Sequence, residues 1–253
     1  MSKVFVKDLV VFITGASRKK GIGRALVEEA IKRGAKKVYA TARNISQLDD
    51  LVAKFQGKVA PVELDVTNLE QIKKVVQIAK DTQVLINNSG AVGFTGCIRN
   101  YNEEIARQEM EINYFAPFRL INAFSENLIK NSNCAIVNII SIGGLYPSPV
   151  HVTYSASKAA LYSLTQAIRI EMMMYSHFIP VFGVYPGPID TDMAEDIEVK
   201  KETPVNVALR VFDDMEQGIL DITTDALSDN FVSYLKKDPQ IIEALKKEFN
   251  RKN

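Results

Sequence analysis

The 253 residues carry 31 Lys plus Arg against 30 Asp plus Glu and are 47% hydrophobic, an ordinary globular balance that can bury a full core without disulfides or metals. A net charge of +1 leaves no basic surplus for nucleic acid, and Cys97, Cys134, His151 and His177 are too few and too scattered for a disulfide framework or a metal site. The apolar run Leu9–Ile13 is too short for a secretory signal, and the charge-free stretches Asn131–Ser157 and Met172–Ile189 are broken by Pro and Gly, so a cytoplasmic protein with no membrane span is expected.

In chain order, short apolar runs rich in β-branched residues predict strands at Leu9–Thr14, Lys37–Ala42, Val59–Leu64, Val84–Asn87, Ala135–Ser141 and Ile179–Tyr185. They are near-continuously apolar rather than alternating, as strands covered on both faces must be. Between them, helical periodicity marks Ala25–Lys32, Leu69–Ala79 and Glu103–Ile129, and Asn68 can cap the second of these with Gln71 at capping-box spacing. After Pro188 the pattern loosens; Asp190–Thr203 is charged and irregular, and Val205–Gln217 and Pro239–Phe249 read as helices. Strands alternating with helices predict α/β architecture: a doubly wound parallel sheet in three layers, α/β/α, with residues 1–253 forming one domain.

The first strand runs into Gly15, Ala16, Ser17, Arg18, Lys19 and Lys20, then Gly21-Ile22-Gly23 opens a helix. Such a turn lets backbone approach a pyrophosphate, while the helix N-terminus offers free N–H groups and the positive end of its dipole. The generic GxGxxG fingerprint is not met, because Leu26 stands in the third glycine's place. The bland alternative is an ordinary Gly-rich βα turn. At the end of the second strand, where NAD proteins place an acid on the ribose 2′-hydroxyl, this chain has Ala42 and Arg43. Arg43 offers a planar bidentate partner for a 2′-phosphate, so NADP (NADPH) is the expected cofactor and NAD the less favoured one.

Tyr154 and Lys158 stand four apart, one helical turn on the same face. A phenol titrating near ~10 needs a shift of ~3 units, or ~4 kcal/mol, to act as a base near neutrality. One cation at ~4 Å in an effective dielectric of ~20 supplies about that much. YxxxK alone is a common surface pair. Here Ser141 ends a strand 13 residues upstream, Asn87-Asn88-Ser89-Gly90 ends another, Asn113 sits mid-helix, and Pro186-Gly187-Pro188-Ile189-Asp190-Thr191 follows the sixth. Strand C-termini of an open parallel sheet face the ligand crevice, so these segments converge.

In joint order and spacing, these residues resemble the short-chain dehydrogenase/reductase family, closely from Leu9 to Met193 and weakly thereafter. The resemblance implies a Rossmann fold and an NADP(H)-dependent carbonyl reductase, or the reverse alcohol dehydrogenase. It implies Tyr154 as proton donor or acceptor, Lys158 lowering its pKa and holding the nicotinamide ribose, Ser141 on the substrate oxygen, and Asn113 holding a water that links Lys158 to solvent. Gly15, Ser17, Arg18, Lys20, Gly21, Ile22 and Gly23 would cradle the phosphates. Asp65 and Val66 would meet the adenine, Asn88 and Gly90 the adenosine ribose side, and Ile189 and Thr191 the nicotinamide amide. Two departures stand out: five residues separate Gly15 from the next glycine where the family usually has three, and Ser89 stands where alanine is commoner. The lengthened turn does not choose among Arg18, Lys19 and Lys20 for the phosphate.

The mostly apolar segments Val92–Gly96 and Ile142–His151, with Phe94, Leu145 and Tyr146 as wall residues, predict an apolar carbonyl or alcohol substrate. A substrate lid is expected over about 193–215. His151 reads as a loop residue, His177 as a dipole partner at a helix C-terminus, and Met172–Met174 with Tyr175 as packing. Small residues on the Tyr154 helix (Ala156, Ala159, Ala160, Ser163) allow close helix packing; the resemblance, in which that helix and the Glu103–Ile129 helix commonly form a dimer surface, implies a homodimer or homotetramer. The competing function is an NADP-binding regulatory protein that keeps the fold without turnover.

Overall fold

A computed structural model describes residues 3–131, 133–172, 179–191 and 201–237. The expected helix Pro239–Phe249, His177, the Met173–Tyr175 packing and residues 193–200 of the expected lid lie outside the described residues. Seven parallel strands make one sheet: β1 (Val10–Ile13), β2 (Lys37–Ala42), β3 (Val59–Glu63), β4 (Val84–Asn87), β5 (Ala135–Ile139), β6 (Val181–Tyr185) and β7 (Asp221–Thr223). Their spatial order is β3-β2-β1-β4-β5-β6-β7, so the chain reverses direction across the sheet between β1 and β4. Six of the seven strands coincide with the apolar runs. The seventh has three residues and buries only Ile222, too little for an apolar pattern.

Successive residues of β1 explain why the runs are continuous. Val11 and Ile13 enter a core with Leu26, Val27, Val207 and Phe212 on one face of the sheet. Val10 and Phe12 enter another with Tyr39, Leu85 and Phe124 on the opposite face. Helices α1 (Ile22–Lys32) and α7 (Pro204–Gln217) cover the first face; α3 (Leu69–Ile78), α5 (Ala116–Ile129) and α6 (Val152–Met172) cover the second. The remaining α-helices are α2 (Asp49–Lys54), α4 (Glu103–Met110) and α8 (Ala226–Lys237). This is the three-layer doubly wound arrangement. Among the described residues, no helix is long and apolar enough to cross a membrane.

Three local expectations are corrected. Glu103–Ile129 is not one regular helix: a π-helical turn at Glu111–Phe115 separates α4 from α5. Pro117 carries no N–H to donate to the Asn113 carbonyl, so the α-helical ladder cannot run through it. Asn68 caps α3 by accepting from Glu70 and Gln71 N–H, but the Gln71 side chain accepts from Asp65 N–H rather than closing a box. Finally, residues 204–215 belong to α7, whose Val207, Val211, Phe212 and Met215 are buried against the sheet and α1.

Because all strands are parallel, one edge gathers Gly15, Arg43, Asp65, Asn88, Ser141 and the segment after Tyr185. That edge, at the β1/β4 reversal, is where the topology opens a crevice.

Candidate active site

The glycine turn is shaped by close approach. Gly15 adopts φ +72°, and a Cβ there would sit 2.8 Å from Ser89 Oγ. At Gly23 a Cβ would lie 2.4 Å from the Gly15 carbonyl oxygen, so the first turn of α1 packs directly on the end of β1. Thr14 Oγ1 accepts from the Asn88 and Ser89 N–H groups, and Thr41 Oγ1 accepts from Gly15 N–H. These hydroxyls lash the ends of β1, β2 and β4 together. Asn88 joins them: its Nδ2 donates to Thr14 O and Gly15 O, so the amide expected toward a ribose also braces the turn.

The two extra residues of the turn are accommodated by a reverse turn in which Gly21 N–H donates to Arg18 O, with Arg18, Lys19 and Lys20 all exposed. Gly21 caps α1 without a side-chain hydrogen bond, and no acid occupies its first turn. Arg43 is exposed just beyond β2. Among the described residues, neither Arg18, Lys20 nor Arg43 has an ion-pair partner. A glycine cradle, an uncapped helix N-terminus and unpaired cations suit a phosphorylated dinucleotide. Asp65 Oδ1 accepts from Thr67 N–H and Oγ1, and Val66 beside it is buried. Beyond β6, Gly187 N–H is held by Asp225 Oδ2, and Ile189 and Thr191 follow with Ile189 bridged to Glu202.

Ser141, Tyr154 and Lys158 are brought together. Ser141 leaves the end of β5, its Oγ accepting from Gly143 N–H at 3.0 Å and donating to Pro186 O at 3.4 Å. Lys158 is buried, donates to Ile139 O at 2.9 Å, and lies 5.8 Å from the Tyr154 ring centre. Burial brings its ammonium down to about 8. Tyr154 moves the other way from the expectation: burial raises its pKa, a Ser141 hydrogen bond opposes this, and the Glu109 charge adds to it. Taking the phenol out of water outweighs the help expected from the neighbouring cation. Asn113, in the π turn, is fully buried; it donates to Ala91 O and Ser157 Oγ and accepts Ala91 N–H, which binds the loop after β4 to α6.

Of the expected wall residues, Phe94 packs its ring 4.8 Å from His151, itself 6.3 Å from Tyr154. Leu145 instead packs against Ile140, Leu161 and Tyr185, and Tyr146 stacks on Phe231 of α8. His151 precedes α6 in irregular backbone and contacts Gly93 O. A depression of about 280 Å³ between α1 and α7 contains none of Ser141, Tyr154 and Lys158; chemistry, not depth, locates the site. Three buried or bracing groups were missed from sequence. Arg24 ties the glycine turn to Gln47 and Asp50, Asp225 holds Gly187, and Glu109 sits buried behind Tyr154. Arg24 and Glu109 lie inside amphipathic helices and Asp225 in the short turn before α8, where a charged residue carries no sequence mark of such a role.

The family described as short chain dehydrogenase matches residues 9–202. A 3-oxoacyl-[acyl-carrier-protein] reductase of Thermotoga maritima is 34% identical over 205 residues, spanning 78% of this chain and 81% of that one. A crystal structure of a short chain dehydrogenase from Burkholderia cenocepacia in complex with NADP superposes with TM-score 0.87 at 35% identity, covering 94% of this chain and 97% of that one. A Burkholderia phymatum short chain dehydrogenase/reductase in complex with NAD shares the fold at TM-score 0.82 and 21% identity, covering 94% and 96%. With the glycine turn, the Ser141–Tyr154–Lys158 grouping and the sheet order all in place, the chain belongs to the short-chain dehydrogenase family of nicotinamide-dependent oxidoreductases.

Proposed function

We propose that this protein is an NADP(H)-dependent oxidoreductase that interconverts an apolar carbonyl and its alcohol. The observation that carries the reading is the meeting of Ser141, Tyr154 and a buried Lys158 at the edge that also holds the glycine turn. Gly15, Ser17, Gly21, Ile22 and Gly23 would receive the pyrophosphate, Arg43 with Arg18 or Lys20 the 2′-phosphate, Asp65 and Val66 the adenine, Asn88 and Gly90 its ribose, and Ile189 and Thr191 the nicotinamide amide. When bound, NADPH supplies the hydride that reduces the carbonyl carbon. Ser141 Oγ–H donates to the carbonyl oxygen, and Tyr154 delivers its phenolic proton to that oxygen as negative charge develops there. Lys158, brought to about 8 and fixed on Ile139 O, can return a proton to Tyr154 near neutral pH. Asn113, locked to Ala91 and Ser157, keeps the neighbouring loop and helix in register, the place from which it would hold a water for Lys158. The reading includes a homodimer or homotetramer and a cytoplasmic setting, consistent with the free thiols of Cys97 and Cys134.

The test is oxidation of NADPH and NADH across aldehydes and ketones of graded apolar size. Turnover should favour NADPH, and Tyr154→Phe should lower it by about 100- to 10,000-fold with nucleotide affinity unchanged. Arg43→Ala should cut the NADPH-over-NADH preference by about tenfold. Nucleotide binding without turnover on any carbonyl would replace this reading with that of an NADP-responsive regulator.

A further inference from the structure

Glu109, on α4, is 1% exposed and plays no part in the reaction described above. A carboxylate in such a place must be met by donors, since burying it unpaired costs several kcal/mol or more. Two donors meet it: Gly93 N–H at 2.7 Å on Oε1, and the Thr153 hydroxyl on Oε2. Gly93 belongs to the loop expected to wall the substrate crevice, and Thr153 is the residue before Tyr154. Val152 N–H donates to Thr95 O at 3.2 Å and the His151 ring contacts Gly93 O at 3.2 Å, so loop and helix are joined at several points. Glu109 brings a carboxylate to that seam, beside the His151 ring.

We propose that Glu109 is a positioning residue for the oxidoreductase reaction, its carboxylate clamping the Gly93 loop to the first turn of α6 and holding a fixed negative charge behind Tyr154. The inference rests on reading Tyr154 as the acid–base group. The titratable and polar groups facing Tyr154 are Ser141 from the end of β5, Lys158 and His151 on its own segment, and Glu109 from α4. Burial does most to raise the Tyr154 pKa, the Ser141 hydrogen bond favours the phenolate, and the Glu109 charge opposes it.

Two variants separate the roles. Glu109→Gln preserves size and the acceptor for Gly93 N–H while removing the charge. The tyrosinate absorbance of the Glu109→Gln protein, taken as its difference from the same protein carrying Tyr154→Phe, should show Tyr154 titrating about one pH unit lower than in the unmodified protein. The corresponding limb of the pH–rate profile should move with it. Thr153→Val breaks the tie but leaves the charge; it should raise KM about threefold or more for the bulkier carbonyls, without lowering the titration. An unmoved Tyr154 titration in Glu109→Gln overturns the electrostatic role, and an unchanged KM in Thr153→Val overturns the clamp. The absorbance titration needs no turnover, so it decides on Glu109 even if Tyr154→Phe retains full activity and the catalytic reading itself fails.

Discussion

Lys158 shows what taking one charged side chain out of water costs a fold. Folding takes its ammonium from water and gives it one carbonyl, Ile139 O, which lowers its pKa from the ordinary 10.5 to about 8. Between those values the unfolded chain holds a proton that the folded chain does not, so this group makes stability rise with pH from about 8 to about 10.5. Below 8 the ammonium is charged in both states and its full desolvation cost stands. Replacing it by an apolar side chain of similar length should remove that cost at neutral pH. Lys158→Met should therefore raise the Tm of the cofactor-free protein at pH 7 by a few degrees, on the order of 1–3 kcal/mol, while abolishing turnover. The gain should shrink as the pH approaches 10. A lower Tm at pH 7, measured by scanning calorimetry, would show that the hydrogen bond to Ile139 outweighs desolvation.

At the level of the elements, legibility followed length and burial. β2 and β4 coincide with their apolar runs to the residue, because both faces of each strand are covered and the apolar run ends where the cover ends. α2 with its preceding 3₁₀ turn, β7 and α8 were not expected, since each is short or joins the core through a few side chains such as Leu48, Leu51 and Ile222. The π turn had a visible signal in Pro117, which helical periodicity over so long a stretch obscured. The glycine turn was legible as chemistry but not as packing. Gly23 reads as permissive backbone for a phosphate, whereas the structure shows it as the contact between α1 and β1. Alanine inside a helix is ordinarily better than glycine by about 1 kcal/mol. Here Gly23→Ala should reverse that sign and destabilise the fold by about 1–3 kcal/mol, because the new methyl would press on the Gly15 carbonyl and the Asn88 amide. Urea unfolding is the measurement, and a variant as stable as the parent would mean that the turn yields freely. The same displacement should weaken nucleotide binding, since Gly15 and α1 form the two sides of the cradle.

On the scale of the molecule, near-neutral charge concealed a local division of labour. Arg18, Lys19, Lys20 and Arg43 are exposed beyond the ends of β1 and β2, while the proposed reacting group, Ser141, Tyr154, Lys158 and Asn113, lies beyond β5 and on the helices beside it. Ser141 was legible just past a strand end and Tyr154 with Lys158 by their one-turn spacing, whereas Glu109 was hidden because its burial depends on what α6 and the loop after β4 do together. The outer surfaces of α5 and α6 present the remaining unexplained pattern. Phe118 is 49% exposed and Phe115 39%, Tyr114 stacks parallel to Phe118, and Ala156, Ala159 and Ser163 leave the exposed side of α6 nearly smooth. Exposed aromatics on one helix and small residues on another are the features a two-fold interface buries, and the proposed assembly would use them. The 28.2 kDa chain should accordingly run as a dimer or tetramer by light scattering at micromolar concentration. Phe118→Glu, which would place a carboxylate in the middle of that surface, should shift the mass toward the monomer while leaving the circular dichroism spectrum unchanged. Ala159→Glu, on the neighbouring helix, should do the same if α6 shares the interface, and should leave the mass alone if the aromatic helix forms it by itself. A parent protein that elutes as a monomer over the whole concentration range would remove the assembly from the account and leave these aromatics as plain surface.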